Sequence, residues 1–153
     1  MPNQLHTLSL ILSLAAQPVA AAAADTALIG MHQVSVAVEG LPKDTDRYGL
    51  TQADLKAAVE AALPAAVTVT SDARDHVVLR VNLSTAGGGY GYYSYALRLQ
   101  VERPLSVQGA EGAYVPKVVW MNGSQGVLLP QELQRLRGET EKLAQGLAHA
   151  LSP

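Results

Sequence analysis

The 153-residue chain has no cysteine and no phenylalanine, only one tryptophan, and no charged side chain before Asp25. Without cysteine there is no disulfide framework, no thiolate zinc or iron–sulfur site and no thiol nucleophile. Charge of one sign is equally scarce. Eleven Lys and Arg stand against 13 Asp and Glu, for a net charge of -2, so nothing points to nucleic acid as a partner. After residue 24 no apolar run approaches the ~20 residues a helix needs to cross a bilayer. A chain that is 48% hydrophobic and nearly neutral is too apolar to stay disordered. Its length fits one domain.

The uncharged start has its own logic. Leu8 to Ala16 is an apolar stretch of signal-peptide length, Pro18 interrupts it, and Val19 to Ala24 supplies the small residues a signal peptidase reads. Residues 1–24 are therefore expected to be a signal peptide and residues 25–153 a single α+β domain, although the first seven residues carry no Lys or Arg. With no cysteine at the junction, the expected product is periplasmic or secreted and soluble rather than lipid-anchored.

The remaining chain alternates between two periodicities. Val34, Val36 and Val38 recur at period 2, as in a half-buried strand. Thr51, three residues before Asp54, opens a helix whose Leu55, Val59, Ala62 and Leu63 form one stripe, with Pro64 at its end. His76–Thr85 and Tyr93–Arg103 are two further alternating runs, joined by a glycine-rich stretch and read as a hairpin. A fourth strand is expected over Tyr114–Asn122, after a turn near Gly109–Gly112. Its inner face is ambiguous, because Val118 with Trp120 competes with Val119 and Met121, and Pro104 offers a place for a bulge that flips the parity. Pro130 starts a final helix carrying Leu133, Leu136, Leu143, Leu147 and Leu151, with Gly138 as a weak point. The expected fold is α+β: a four-stranded, mostly antiparallel sheet with two helices packed on one face, in the order β-α-β-β-β-α.

Few residues suggest chemistry. Tyr90, Tyr92, Tyr93 and Tyr95 cluster around glycines at the hairpin tip, without a charge among them. They either present aromatic faces to a protein or glycan or, in the case of Tyr93 and Tyr95, fill the rim of a core that lacks Phe. A hairpin centred on Gly89 sets Arg80 opposite Arg98 on the exposed face. Like charges in that position require an intervening anion or carboxylate; Glu39 and Glu102 are the nearest candidates for a charge ladder.

Other patterns fail on inspection. The glycine stretch lacks the Gly-Lys-Ser/Thr ending of a phosphate loop and does not fit the dinucleotide pattern. Asp44-Thr45-Asp46 begins like a calcium loop but has Leu55 where the terminal glutamate belongs. His32, His76 and His149 share no metal-ligand spacing, so no metal and no cofactor is expected. Ser94 and Ser124 have no sequence-visible base, and neither a Gly-x-Ser-x-Gly nor a His-Glu-x-x-His motif occurs.

The stretch Tyr48-Gly49-Leu50-Thr51-Gln52-Ala53-Asp54-Leu55, preceded by the Val-x-Val-x-Val strand and followed by the Tyr-rich hairpin and the Trp-bearing strand, resembles small exported bacterial proteins with a strand–helix–three-strand–helix plan. The resemblance implies an envelope location and carries over no activity. The leading expectation is an envelope accessory or binding protein that presents the Tyr tip, the uncovered sheet face with Arg80 and Arg98, or both, to a protein or glycan. A small envelope hydrolase with no nameable residues is the competing class. Self-association through the open sheet or an edge strand is the third.

Overall fold

The computed structural model describes residues 25–86 and 91–152. The expected leader over residues 1–24, and the hairpin tip with Tyr90, lie outside the described residues. The elements run β1 (Gln33–Glu39), α1 (Gln52–Ala62), β2 (Thr68–Val69), β3 (Asp75–Ala86), β4 (Tyr92–Ser106), β5 (Tyr114–Leu128) and α2 (Arg135–Leu151), with short 3-10 turns at Asp25–Leu28, Lys43–Tyr48 and Pro130–Glu132.

The α+β class holds, but the expected four-stranded sheet is a mixed, five-stranded one in the order β2-β1-β3-β4-β5. β1 runs parallel to both of its neighbours, whereas β3–β4 and β4–β5 are antiparallel. The parallel β1–β3 pair follows from the α1 crossover between them. The missed strand, β2, is two residues long, too short for a period-2 signal to exist.

Both helices cover one face. Val34, Val36 and Val38 of β1 form a single buried cluster with Val77, Leu79 and Val81 of β3, Leu97, Leu99 and Val101 of β4, Leu55 and Val59 of α1, and Leu136, Leu143 and Leu147 of α2. Helix α1 opens with the anticipated capping box: Thr51 Oγ1 accepts from the Asp54 amide at 3.1 Å, and the Asp54 carboxylate accepts from the Thr51 amide at 3.0 Å. The final helix starts later than Pro130. A 3-10 turn at Pro130–Glu132 comes first, and α2 then runs unbroken through Gly138 to Leu151.

Two features of β5 escaped the sequence pattern. The strand continues six residues past Asn122 to Leu128, because Gly123 and Gly126 interrupt the alternation without ending the strand. A Cβ on Gly126 would stand 2.9 Å from the Tyr95 ring, so glycine makes room for that ring across the strands. A register shift opposite Val101 and Glu102 makes Val119 the extra residue: Trp120 pairs with Val101 and Val118 with Glu102. The bulge therefore sits on β5 rather than at Pro104. It turns Trp120 toward the core and leaves Met121 56% exposed.

Beyond the bulge, β4 and β5 continue past the start of β3 as a two-stranded arm, pairing Pro104 with Pro116, Leu105 with Val115 and Ser106 with Tyr114. A clamp holds the base of this arm. Arg103 Nε donates to Asp75 Oδ1 at 3.1 Å, and its Nη1 donates to the carbonyls of Ala27 and Ile29 at 3.0 Å each. This ties the first 3-10 turn to the sheet.

Candidate functional site

Strand alternation puts a second set of side chains on the face opposite the helices, and no described element covers it. Because β1, β3 and β4 are in fixed register, these side chains line up in rows across the strands. One row is Ser35, His76 and Glu102; another is Glu39, Arg80 and Arg98; a third joins Ser84 to Ser94, whose hydroxyls meet at 2.8 Å.

Arg80 does stand directly opposite Arg98. The two cations are treated differently by their surroundings. Arg80 reaches Glu39 Oε2 at 2.5 Å and Glu102 Oε1 at 3.4 Å, and Glu102 Oε1 also accepts from the side chain of Gln100. Among the described residues no carboxylate pairs with Arg98, nor with Arg74 just ahead of β3. Two carboxylates thus neutralise one guanidinium of the opposed pair and leave the other free for a partner. Gln100 and Val78, both on this face, are nonetheless buried.

The tyrosines divide between the faces. Tyr92 is 45% exposed, and its register places it on the open side with Ser94. Tyr93 and Tyr95 have the opposite parity and pack, half-buried, against the core cluster. The open face therefore gathers Arg80, Arg98 and Tyr92, whereas Tyr93 belongs to the helix side.

At the foot of the open face, where the arm leaves the sheet, is a hollow of about 340 Å³ lined by Arg74, His76, Glu102, Pro104, Tyr114, Val115 and Pro116. Its lining combines two rigid pyrrolidine rings and a phenol with the ionisable groups of Arg74, His76 and Glu102. No single stretch of sequence signals this hollow, since its residues come from three separate segments.

Ser35 Oγ and His76 Nδ1 are 2.5 Å apart, a contact that spacing along the chain could not reveal. A serine bonded to a histidine is the first requirement of a nucleophile–base pair, and Glu102 faces His76 from the next strand. Glu102, however, is engaged by Gln100 and Arg80, and no contact between it and the imidazole completes a triad. His32 and His149 are exposed and far apart in the chain. Among the described residues no cluster of three His, Asp or Glu could hold a metal ion, and no helix is long and apolar enough to cross a membrane.

The shifted carboxylates are all tied to helices. Asp54 is held below its ordinary value by hydrogen bonds from the Thr51 hydroxyl and amide. The Leu129 amide does the same for Glu132. Lys142, and then the Ser124 hydroxyl, lower Glu139. These groups are stabilised as anions, the opposite of a carboxylic acid prepared for proton transfer at neutral pH.

No protein-family model matches the chain, and no curated protein does. Among solved structures it is similar to a minor lipoprotein from Acinetobacter baumannii, at 15% identity over 79% of this chain and 90% of that one, with a TM-score of 0.37. Similarity of that degree assigns neither a fold nor a function to this chain.

Proposed function

We propose that the chain is an exported, non-enzymatic accessory protein of the bacterial cell envelope that binds an acidic polypeptide segment on the open face of its sheet. The observation that carries this reading is the unbalanced arginine pair: Arg80 is neutralised by Glu39 and Glu102, while Arg98 beside it has no carboxylate among the described residues. A carboxylate from a partner would satisfy Arg98 and a second would meet Arg74, with Tyr92 at one end of the face and Tyr114 at the other offering flat apolar contact. The leader-like composition of residues 1–24 supports export. The unclosed Ser35–His76–Glu102 row favours binding over hydrolysis.

The test uses a synthetic Glu-rich peptide as probe, with binding followed by fluorescence anisotropy at low salt. Binding that weakens with salt, and about tenfold with Arg98→Ala, is the expected result, equivalent to about 1.4 kcal/mol for one rim charge. No binding of the peptide, or binding indifferent to Arg98→Ala, overturns the reading. An uncharged oligosaccharide that binds in its place would make the occupant a glycan instead. Hydrolysis of an ester probe that disappears in Ser35→Ala would move the chain to the enzyme class.

A further inference from the structure

The two edges of the sheet are finished differently. On one side β2 offers only two residues, and at the far end of β1 the outward carbonyl of Val38 accepts a hydrogen bond from the Gln52 side chain. On the other side β5 is a 15-residue edge strand. From Val118 to Leu129 it contains no charged residue, so it lacks the Lys or Glu that normally discourages strand-to-strand association.

The direction of its backbone groups can be read from two contacts. The Leu97 carbonyl lies 3.0 Å from where a Gly123 Cβ would stand, so it points toward β5, where Ser124 is its register partner. The Gly123 amide donates to the Asn122 side chain rather than to β4. Backbone groups of Met121, Gly123, Gln125 and Val127 therefore face outward, and Met121 and Val127 are also the two most exposed large apolar side chains of this stretch, at 56% and 61%.

We infer that β5 pairs with β5 of a second copy, antiparallel about a two-fold axis at Ser124. In that register Met121 lies opposite Val127 of the second copy and Gly123 opposite Gln125, so each large exposed apolar side chain meets the other kind rather than water. All four outward residues become hydrogen-bonded pairs, which gives about eight N–H···O bonds between the chains once each Gly123 amide exchanges the Asn122 side chain for a carbonyl of the second copy. Neighbouring registers set Met121 against Gln125, or leave it beyond the paired stretch.

Charge agrees with this arrangement. No residue of the paired stretch repels its own copy. On the helix side the nearest charged groups are Glu139 and Lys142 of α2, beside Ser124, where Glu139 bonds both Ser124 and Lys142; on the open side it is Arg98, one strand back from the edge opposite Gly123. With α2 packed over β4 and β5, strands ~4.8 Å apart bring the two α2 helices side by side at roughly the ordinary packing distance of 10 Å. Lys142 of each copy then faces Glu139 of the other. The two-fold closes the assembly at two copies, and the short β2 edge cannot extend it into a fibre. The inference is independent of the peptide-binding reading, since β5 pairing uses neither Arg98 nor Arg74.

Sedimentation equilibrium of the purified protein tests it. The expected result is a mass that doubles as concentration rises through the micromolar range, and a monomer at every concentration for Gln125→Pro, which removes an outward amide that β4 does not use. Ser124→Cys supplies a second measurement in a chain with no cysteine of its own. In a non-hydrogen-bonded antiparallel pair the two Cα atoms are ~4.5 Å apart, within disulfide reach. Two such thiols should therefore pass two electrons and two protons to oxidised glutathione and link the chains, whereas Asn122→Cys should not. A protein that is monomeric throughout, a dimer that survives in folded Gln125→Pro, or equal cross-linking at positions 122 and 124 overturns the inference.

Discussion

Adjacent residues of β4 have opposite duties. Leu99 is fully buried among the side chains of both helices and the neighbouring strands, whereas Arg98, one peptide unit away, points from the uncovered face with no ion-pair partner among the described residues. The same division runs through β1 and β3: Val36 against Ser35 and Leu79 against Arg80. Stability is concentrated on one face and the capacity for recognition on the other, because a half-covered sheet turns every second residue to each side. The helix face has to exclude water from a continuous apolar cluster. The open face has only to keep its charges partnered, and at Arg98 it does not.

Substitution at those two neighbours should produce the largest contrast. Leu99→Ala leaves a cavity in the centre of the sheet and should cost about 2–5 kcal/mol, a large part of the 5–15 kcal/mol by which domains are usually stable. Arg98→Ala should stay within about 0.5 kcal/mol of the parent, as expected of an exposed residue without a structural partner. Urea titrations of the two variants measure the contrast directly. Equal destabilisation would show that the open face is structural after all.

A smaller effect is expected where the two faces are joined. Arg103 holds Asp75 and the carbonyls of Ala27 and Ile29 at once, so it bolts the first 3-10 turn, with buried Leu28 and Met31, onto the foot of the sheet. Arg103→Met keeps most of the apolar stem but loses the charge-assisted bonds, and should cost roughly 1–3 kcal/mol. Hydrogen exchange would report where the cost falls: faster exchange confined to Met31 and the start of β1 is expected, with the centre of β3 and β4 unchanged. Uniform acceleration would mean that the clamp supports the whole fold rather than one corner.

How much of this was legible in the sequence depends on which strand is considered. The Arg80–Arg98 pair could be placed from the sequence because both strands of that hairpin alternate strictly about one glycine-rich centre, so counting outward yields the register. β5 defeated the same method. Val118 and Val119 suit either face, and only the partner strand decides which of them is the extra residue. β2 carries no period at all. The Ser35–His76 contact depends on the parallel register of β1 against β3, which is set by how α1 packs, and the hollow on the β3–β4 and β4–β5 registers beyond the bulge, neither of which any spacing along the chain reveals. The start of α1 was readable because a cap is a local chemical event, whereas Pro130 opens a 3-10 turn and α2 begins only at Arg135. Thr51 with Asp54 announces itself in four residues.

Those caps supply the last and mildest test, and it is a test of the helix face alone. The Asp54, Glu132 and Glu139 carboxylates are all held below their ordinary values by hydrogen bonds or by a neighbouring ammonium. A carboxylate whose value is depressed in the folded state binds its proton more readily in the unfolded state. Its contribution is therefore fully present above the unfolded value and is lost as pH falls below about 4. Thermal unfolding followed from pH 7 downward should show little change to about pH 5 and a falling midpoint below about pH 4. Thr51→Ala removes the largest cause of the shift at Asp54. The variant should start less stable at pH 7, as loss of an N-cap predicts, and then lose less than the parent on acidification, so that the two curves converge at low pH. Parallel curves would mean that the Thr51–Asp54 bond is absent in solution, and with it the local signal by which α1 was recognised.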